Sequence, residues 1–254
     1  MTVLITGASG GLGKEFARVY AEHGYDLVIV ARNEEKLNKI KSDFEKLYKI
    51  KVCVIAENLS DDGAAKRIFY KTKELGIEID ELVNNAGCGK MKTVAECDEQ
   101  TLKDIITLNV TSVTLLSHYF AEDMSKRGKG KIMQVSSLGA FQPDPYFNVY
   151  GPTKAFELFL GATMYGELKG TGVTVSVLCP GPVKTNWANN AGKKDSKLAK
   201  DPYSIAKIGF EKMHKNRLVI VPTAIYKAER VLVSILPKKT VASLIGKWQS
   251  GLRK

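Results

Sequence analysis

Apolar positions in this chain fall into two alternating patterns. Short unbroken runs, rich in β-branched residues, occur at Thr2–Thr6 (TVLIT), Asp26–Ala31 (DLVIVA), 51–56 (KVCVIA), Glu81–Asn84 (ELVN), 131–135 (KIMQV), Val173–Leu178 (VTVSVL) and 218–221 (LVIV). Runs of this kind suit strands buried on both faces, as in a parallel sheet. Between them lie longer stretches whose apolar residues recur at helical spacing. They predict helices over 12–23, from after Arg32 to 48, and over 61–75, 98–124 and 150–168. Strand and helix alternate throughout, with no internal repeat and no Gly-, Ser- or Pro-rich linker. The pattern predicts an α/β fold in one domain, 1–254: a doubly wound parallel sheet of about seven strands with helices on both faces. After the last strand, 224–254 reads as two helices split at Pro237.

Composition changes this picture in one respect. The chain has 254 residues, 44% hydrophobic and 26% charged, ordinary values for a globular domain. Its net charge of +11 is unevenly placed. Up to Val183 there are 22 Lys+Arg against 23 Asp+Glu, and from Lys184 onward 16 against 4, so the whole excess lies in the last 71 residues. A basic surface there suits an anionic ligand or an anionic membrane. The amphipathic tail is expected to pack on its own domain or a partner rather than on a lipid surface, and nucleic acid is not expected as a partner. The apolar stretch 218–237 is interrupted by Lys227, Glu229 and Arg230, which argues against a membrane span. Cys53, Cys88, Cys97 and Cys179 are scattered, with no metal-binding spacing. Reduced buried thiols, and a strand starting at Thr2 with no room for a leader, predict a cytoplasmic protein.

Candidate chemistry gathers where the predicted strands end, which is where ligands bind in such sheets. After the first strand comes TGASGGLG, with Gly7, Gly11 and Gly13 opening a helix. Glycines there permit a tight turn and close approach to a phosphate, and the helix N-terminus offers free N–H groups. The spacing differs from G-x-G-x-x-G. The second strand ends at Ala31 and Arg32 follows; a basic residue there suits the 2′-phosphate of NADP. Asn58, the NNAG of 84–87 and the CPGPVKT after the sixth strand occupy the remaining strand ends. The fifth leads into Ser137, then Tyr150 thirteen positions later, then Lys154 one helical turn beyond. Tyrosine and lysine at this spacing also occur at Tyr165/Lys169 and Tyr203/Lys207, but Pro152 and Asn190 stand thirteen positions before those tyrosines. An ammonium one turn from a phenol is expected to lower its pKa from about 10, fitting it for proton transfer.

Taken together, TGASGGLG, NNAG, LNV, VSS, YGPTK and PGPVKT resemble the short-chain dehydrogenase/reductase family over Thr2 to Val221. The resemblance implies a Rossmann-type sheet, a nicotinamide cofactor and a homodimer or homotetramer. It implies that Gly7, Ser9, Gly11, Leu12 and Gly13 line the cofactor phosphates and ribose. Asn85, Ala86 and Gly87 would pack under the riboses, and Pro180, Gly181, Val183 and Thr185 would meet the carboxamide end. Asn109 would hold a water in a proton relay and Ser137 the substrate carbonyl. Tyr150 would be the acid/base, with Lys154 binding the nicotinamide ribose and tuning the phenol. Asn58 stands where the family usually has aspartate, and Gly10 where NADP-preferring members often carry a basic residue. Arg32 therefore carries most of the expectation of NADP(H).

The substrate is expected to depend on 186–216, read as a lid with Trp187, Tyr203, Ile205 and Phe210 as candidate apolar lining. The tail resembles relatives that reduce very-long-chain 3-oxoacyl thioesters or hydroxysteroids. The leading expectation is a lipophilic, anionic ketone. A reductase of small polar carbonyls and a non-catalytic NADP-sensing module are the alternatives.

Overall fold

β1 (Thr2–Thr6), β2 (Asp26–Ala31), β3 (Val52–Ala56), β4 (Glu81–Asn84), β5 (Gly130–Val135), β6 (Val173–Leu178) and β7 (Val219–Ile220) form one sheet in the order β3-β2-β1-β4-β5-β6-β7. Every pairing is parallel. The structure, a computed structural model, describes residues 1–194 and 196–253. Because side chains alternate across a strand, each apolar run feeds two cores. Val3 and Ile5 of β1, with Leu27 and Ile29 of β2, pack under α1 (Gly11–Glu22) and α2 (Glu34–Tyr48). Leu4, Val28, Val30, Leu82 and Ile132 pack on the other face, against α3 (Ala64–Glu74). The predicted strands are all present, and the chain reverses direction across the sheet between β1 and β4. That reversal opens a crevice at the carboxyl ends of these two strands.

The helix expected over 98–124 is not continuous. It comprises α4 (Glu99–Ile106), a π-helical turn at Thr107–Thr111 and α5 (Ser112–Arg127). Ser112 Oγ donates to Leu108 O (2.5 Å) and Thr114 Oγ1 to Val110 O (2.7 Å), so hydroxyls compete for carbonyls of this turn. The irregularity places Asn109 in the interior, fully buried.

α6 (Tyr150–Glu167) crosses beside β5 and β6. The expected lid divides in two. α7 (Trp187–Ala191) lies near the crevice, whereas α8 (Pro202–His214) is a core helix, with Ile205, Ala206, Phe210 and Met213 buried in the cluster around α1. Tyr203 also turns to α1, donating to Glu22 Oε2 (2.8 Å). Of the four expected pocket residues only Trp187 is near the crevice. The tail forms α9 (Ala224–Ile235) and α10 (Lys238–Ser250), split at Pro237 as expected. Tyr226, Val233 and Val241 pack inward, but Ile225, Val231, Leu232 and Ile235 face outward, 54% to 73% exposed. Among the described residues no helix is long and apolar enough to cross a membrane, and no group of side chains could hold a metal. The four cysteines are unpaired.

Candidate active site

The glycine turn after β1 is shaped by what lies against it. A Cβ on Gly13 would sit 2.3 Å from Gly7 O and 2.5 Å from Asn85 Nδ2, so only glycine lets α1 approach β1 and the NNAG turn this closely. Gly10 caps α1 without a side-chain hydrogen bond, no acid lies in the first turn, and the space beside Gly10 is open. The free amides of this turn therefore face room suited to an anion. Ser9 is half-buried in the turn, and Leu12 packs against the core. Thr185 closes the turn from the other side, 3.3 Å from where a Gly11 Cβ would stand. The segment after β6 is thus brought onto the glycine turn.

Arg32 follows β2, exposed and with no ion pair among the described residues. Asn58 is engaged locally: its Oδ1 accepts from Ser60 N (3.3 Å) and its Nδ2 donates to Asp61 (2.6 Å). Asn85 and Ala86 tie the end of β4 to that of β1. Both their backbone amides donate to Thr6 Oγ1 at 2.9 Å, and Asn85 Nδ2 donates to Thr6 O at 2.8 Å. Gly87 lies where a Cβ would meet Lys154 Nζ at 3.0 Å and Asn109 Oδ1 at 3.3 Å. These residues fit a nicotinamide dinucleotide. Open backbone N–H groups lie at the switch point, an unpaired cation at the second strand end, and glycine where backbone passes the lysine.

Tyr150 is the first residue of α6, and the loop before it is held in an unusual backbone conformation. Tyr146 and Asn148 have φ of 68° and 39°. Asn148 compensates with its side chain, donating from Nδ2 to Lys90 O (2.7 Å) and accepting from Val149 N (2.6 Å). Ser137 ends the turn after β5, its Oγ accepting from Gly139 N at 3.1 Å. Asn109 accepts from Cys88 N (3.0 Å) and donates to Cys88 O (2.8 Å) and Thr153 Oγ1 (3.0 Å). Its side chain thus locks the β4 loop to α6, and a water in the expected relay has only its remaining acceptor capacity to use.

The expectation of a lowered Tyr150 pKa does not hold in this structure. Burial pushes the phenol up; the Ser137 hydroxyl pulls it down, and the charge of Glu157 adds to the rise. Burial is the main cause, and the ammonium expected to oppose it is engaged elsewhere. Its Nζ, 5.8 Å from the Tyr150 ring centroid, donates to Glu157 Oε1 (2.7 Å), Glu157 Oε2 (2.9 Å) and Val135 O (3.0 Å). Lys154 is 4% exposed and Glu157 1%. The ammonium's three donors are committed and its charge is compensated. Burial pushes the Glu157 carboxyl up to about 7 against the pull of the ammonium. Sequence reading missed Glu157, although its place three residues after Lys154 puts both on one helix face.

The outer wall is aromatic. Tyr150 has Trp187 at 4.9 Å and Phe147 at 5.6 Å between ring centroids, and Met91 and Leu252 join this cluster. Lys193 Nζ lies 5.0 Å from the Phe147 centroid and 5.4 Å from that of Trp248. Beside it Asp144, pushed by burial up to about 6, accepts a hydrogen bond from Gln249 of α10. Leu138 N donates to Pro180 O (2.8 Å), Tyr226 packs on Gly181, and Val183 bridges to Lys200. The strand-end motifs therefore converge, with the C-terminal helix completing the wall.

A parallel sheet with an anion-receptive glycine turn at its switch point defines a Rossmann-type dinucleotide-binding protein. The family model of the short chain dehydrogenases matches residues 1–196, and the chain belongs to that family. It is 30% identical to the very-long-chain 3-oxoacyl-CoA reductase of Bos taurus over 189 residues, 73% of this chain and 60% of that protein. For the same enzyme of Mus musculus the identity is 31% over 190 residues, again 73% and 60%. The chain thus spans about 60% of the length of these curated relatives. A short-chain dehydrogenase from Sphingobium yanoikuyae in complex with NADPH superposes with a TM-score of 0.84 at 27% identity, covering 93% of this chain and 96% of that one. A 7beta-hydroxysteroid dehydrogenase superposes at 0.88 with 25% identity, covering 96% of both chains.

Proposed function

We propose that this protein is an NADP(H)-dependent oxidoreductase that interconverts a ketone and a secondary alcohol on a lipophilic substrate, steroid-like or a 3-oxoacyl thioester. The carrying observation is the apolar wall of Phe147 and Trp187 against the Tyr150 ring, at the mouth of the Ser137/Tyr150/Lys154 set. The relatives' names and the NADPH-bound structural neighbour support this reading.

The cofactor supplies the hydride when bound. Gly7, Ser9, Gly11, Leu12 and Gly13 hold its phosphates, Arg32 its 2′-phosphate, and Asn85, Ala86 and Gly87 shape the floor beneath its riboses. Asn58 flanks the adenine, and Pro180, Gly181, Val183 and Thr185 border the carboxamide. Ser137 donates to the substrate oxygen and holds it beside Tyr150. Tyr150 protonates that oxygen during reduction, or accepts its proton during oxidation. Lys154 would hold the nicotinamide ribose by giving up one of its bonds to Glu157 or Val135, and Asn109 keeps the β4 loop in register with α6. Phe147 and Trp187 exclude water and hold the apolar body of the substrate.

Lys193 lies half-buried along the same wall, with Lys194 and Lys197 farther out on the basic segment, so the ligand carries a negative end. A panel of ketones with NADPH, followed at 340 nm, tests the reading. The expected result is turnover of anionic lipophilic ketones, with kcat/KM falling as salt rises and little change for a neutral analogue. Turnover restricted to small sugars or polyols would overturn the substrate class. Phe156, Phe159 and Tyr165 of α6 are exposed, which supports assembly into a homodimer or homotetramer, measurable by sedimentation.

A further inference from the structure

The first helix of the tail buries one face and leaves the other without cover. Tyr226 and Val233 of α9 pack inward, and Glu229, half-buried between them at helical spacing, shares that face. Ile225, Ala228, Leu232 and Ile235 recur at the same spacing on the outward side, and Val231 widens them into a stripe with no polar residue in it. Single exposed apolar side chains are ordinary on a protein surface, but a contiguous stripe of them marks a contact.

The stripe is bordered by positive charge. From Ala224 to Lys254 the sequence carries seven Lys+Arg and one acid, Glu229. Lys227 stands one helical turn before Val231 at the edge of the stripe, and Lys238 and Lys239 follow Ile235 across Pro237. All three are exposed and have no ion pair among the described residues. A second copy of the chain does not fit such a face. In an isologous contact each stripe would meet its own image, bringing the lysines of both copies together with no acid between them. An anionic lipid surface supplies both halves of what is missing, acyl chains for the stripe and headgroup charge for the lysines.

We propose that α9 and the turn at Pro237 form a peripheral docking site for an anionic phospholipid bilayer. Ile225, Leu232 and Ile235 enter below the headgroups, and Lys227, Lys238 and Lys239 stay level with them. The expectation that the tail packs only on protein is met by the inward face alone. With 12 residues α9 lies in the plane of the surface and does not span it. From that turn α10 leads back to the chain end, where Leu252 joins the cluster of Tyr150 and Trp187. Docking thus holds the mouth of the site close to lipid. That consequence rests on the lipophilic-substrate reading, whereas the docking itself does not.

The test is co-sedimentation of the full chain with vesicles of phosphatidylcholine alone and of phosphatidylcholine mixed with phosphatidylglycerol. Binding should be strong on the mixed vesicles, weak on the neutral ones, and should fall as salt rises. Lys238→Gln/Lys239→Gln should weaken it by about fivefold per lysine. Leu232→Asn/Ile235→Asn, which leaves every charge in place, should weaken it at least about tenfold. Both variants alter exposed side chains, so their urea midpoints should stay near the parent's. Absence of binding to the mixed vesicles at low salt would overturn the proposal. So would binding that Leu232→Asn/Ile235→Asn leaves unchanged, which would move the contact to lysines elsewhere. A parent oligomer that dissociates in that variant would give the face to a second copy and also overturn it. Ketone turnover enters none of these readouts: a protein that binds vesicles as described and reduces no ketone fails the functional reading alone.

Discussion

Among the described residues two glutamates are buried, and they differ in what holds them. Glu81 opens β4 at the amino end of the sheet, 3% exposed. Its carboxylate accepts from Tyr20 Oη (2.7 Å) and Tyr25 Oη (3.1 Å) and pairs with His214 Nε2 at 3.0 Å. The aromatic rings close around it, with Tyr20 4.9 Å and His214 4.1 Å from Phe210. Glu81 therefore ties β4 to α1, to the start of β2 and to α8, at the end of the sheet opposite the ligand crevice. Glu157 lies toward the carboxyl ends, and its hydrogen bonds go to one residue of its own helix, Lys154. A buried carboxylate is thus not by itself a sign of chemistry. Its meaning depends on which end of the strands it occupies and on whether its partner is needed elsewhere.

Four substitutions probe the contrast, in descending order of effect. Tyr150→Phe should lower turnover by about 10²–10⁴-fold, the usual contribution of a positioned acid/base, while NADPH binding persists. Single-turnover reduction and cofactor titration check both halves, and wild-type kcat in this variant would remove the catalytic end of the contrast. Glu81→Ala should leave the kinetics and their pH profile alone but cost about 3 kcal/mol, because buried phenols and an imidazolium lose their acceptor. Urea midpoints measure this, and a shifted pH–rate profile would place Glu81 in the chemistry after all.

Arg32→Ala should leave the unfolding midpoint near the parent's, since the side chain is exposed, yet erase a preference for NADPH over NADH of about ten- to a hundredfold. Equal kcat/KM for the two cofactors in the unaltered protein would contradict it.

The smallest effect concerns His214. Its hydrogen bond to Glu81 raises its pKa above the ordinary 6.5, against desolvation. A raised folded value means that this stabilisation is fully present below about 6.5 and fades as pH rises through the folded pKa. His214→Leu should therefore flatten the fall in melting temperature between weakly acidic and alkaline pH. A parent whose melting temperature climbs through that window would have the sign reversed.

The frame was legible in the residues alone: strands recognisable as unbroken apolar runs, helices between them, and candidate site residues at the ends of strands. Such signals are local, since both-face burial and helical periodicity are written in consecutive residues. Even the split of the tail at Pro237 could be read there, because proline cannot continue a helix. Three features waited on the fold. The π turn at Thr107–Thr111 arises from hydroxyls bonding back to carbonyls and from Asn109 bonding across to Cys88. The role of α8 as core rather than lid follows from its packing on α1, which an amphipathic pattern alone does not direct. The charge state around Tyr150 depends on Glu157 turning inward with Lys154. A sequence places both residues on one helix face, but only packing against β5 takes that face out of water, and it is desolvation that makes a neighbouring charge decide a proton's affinity.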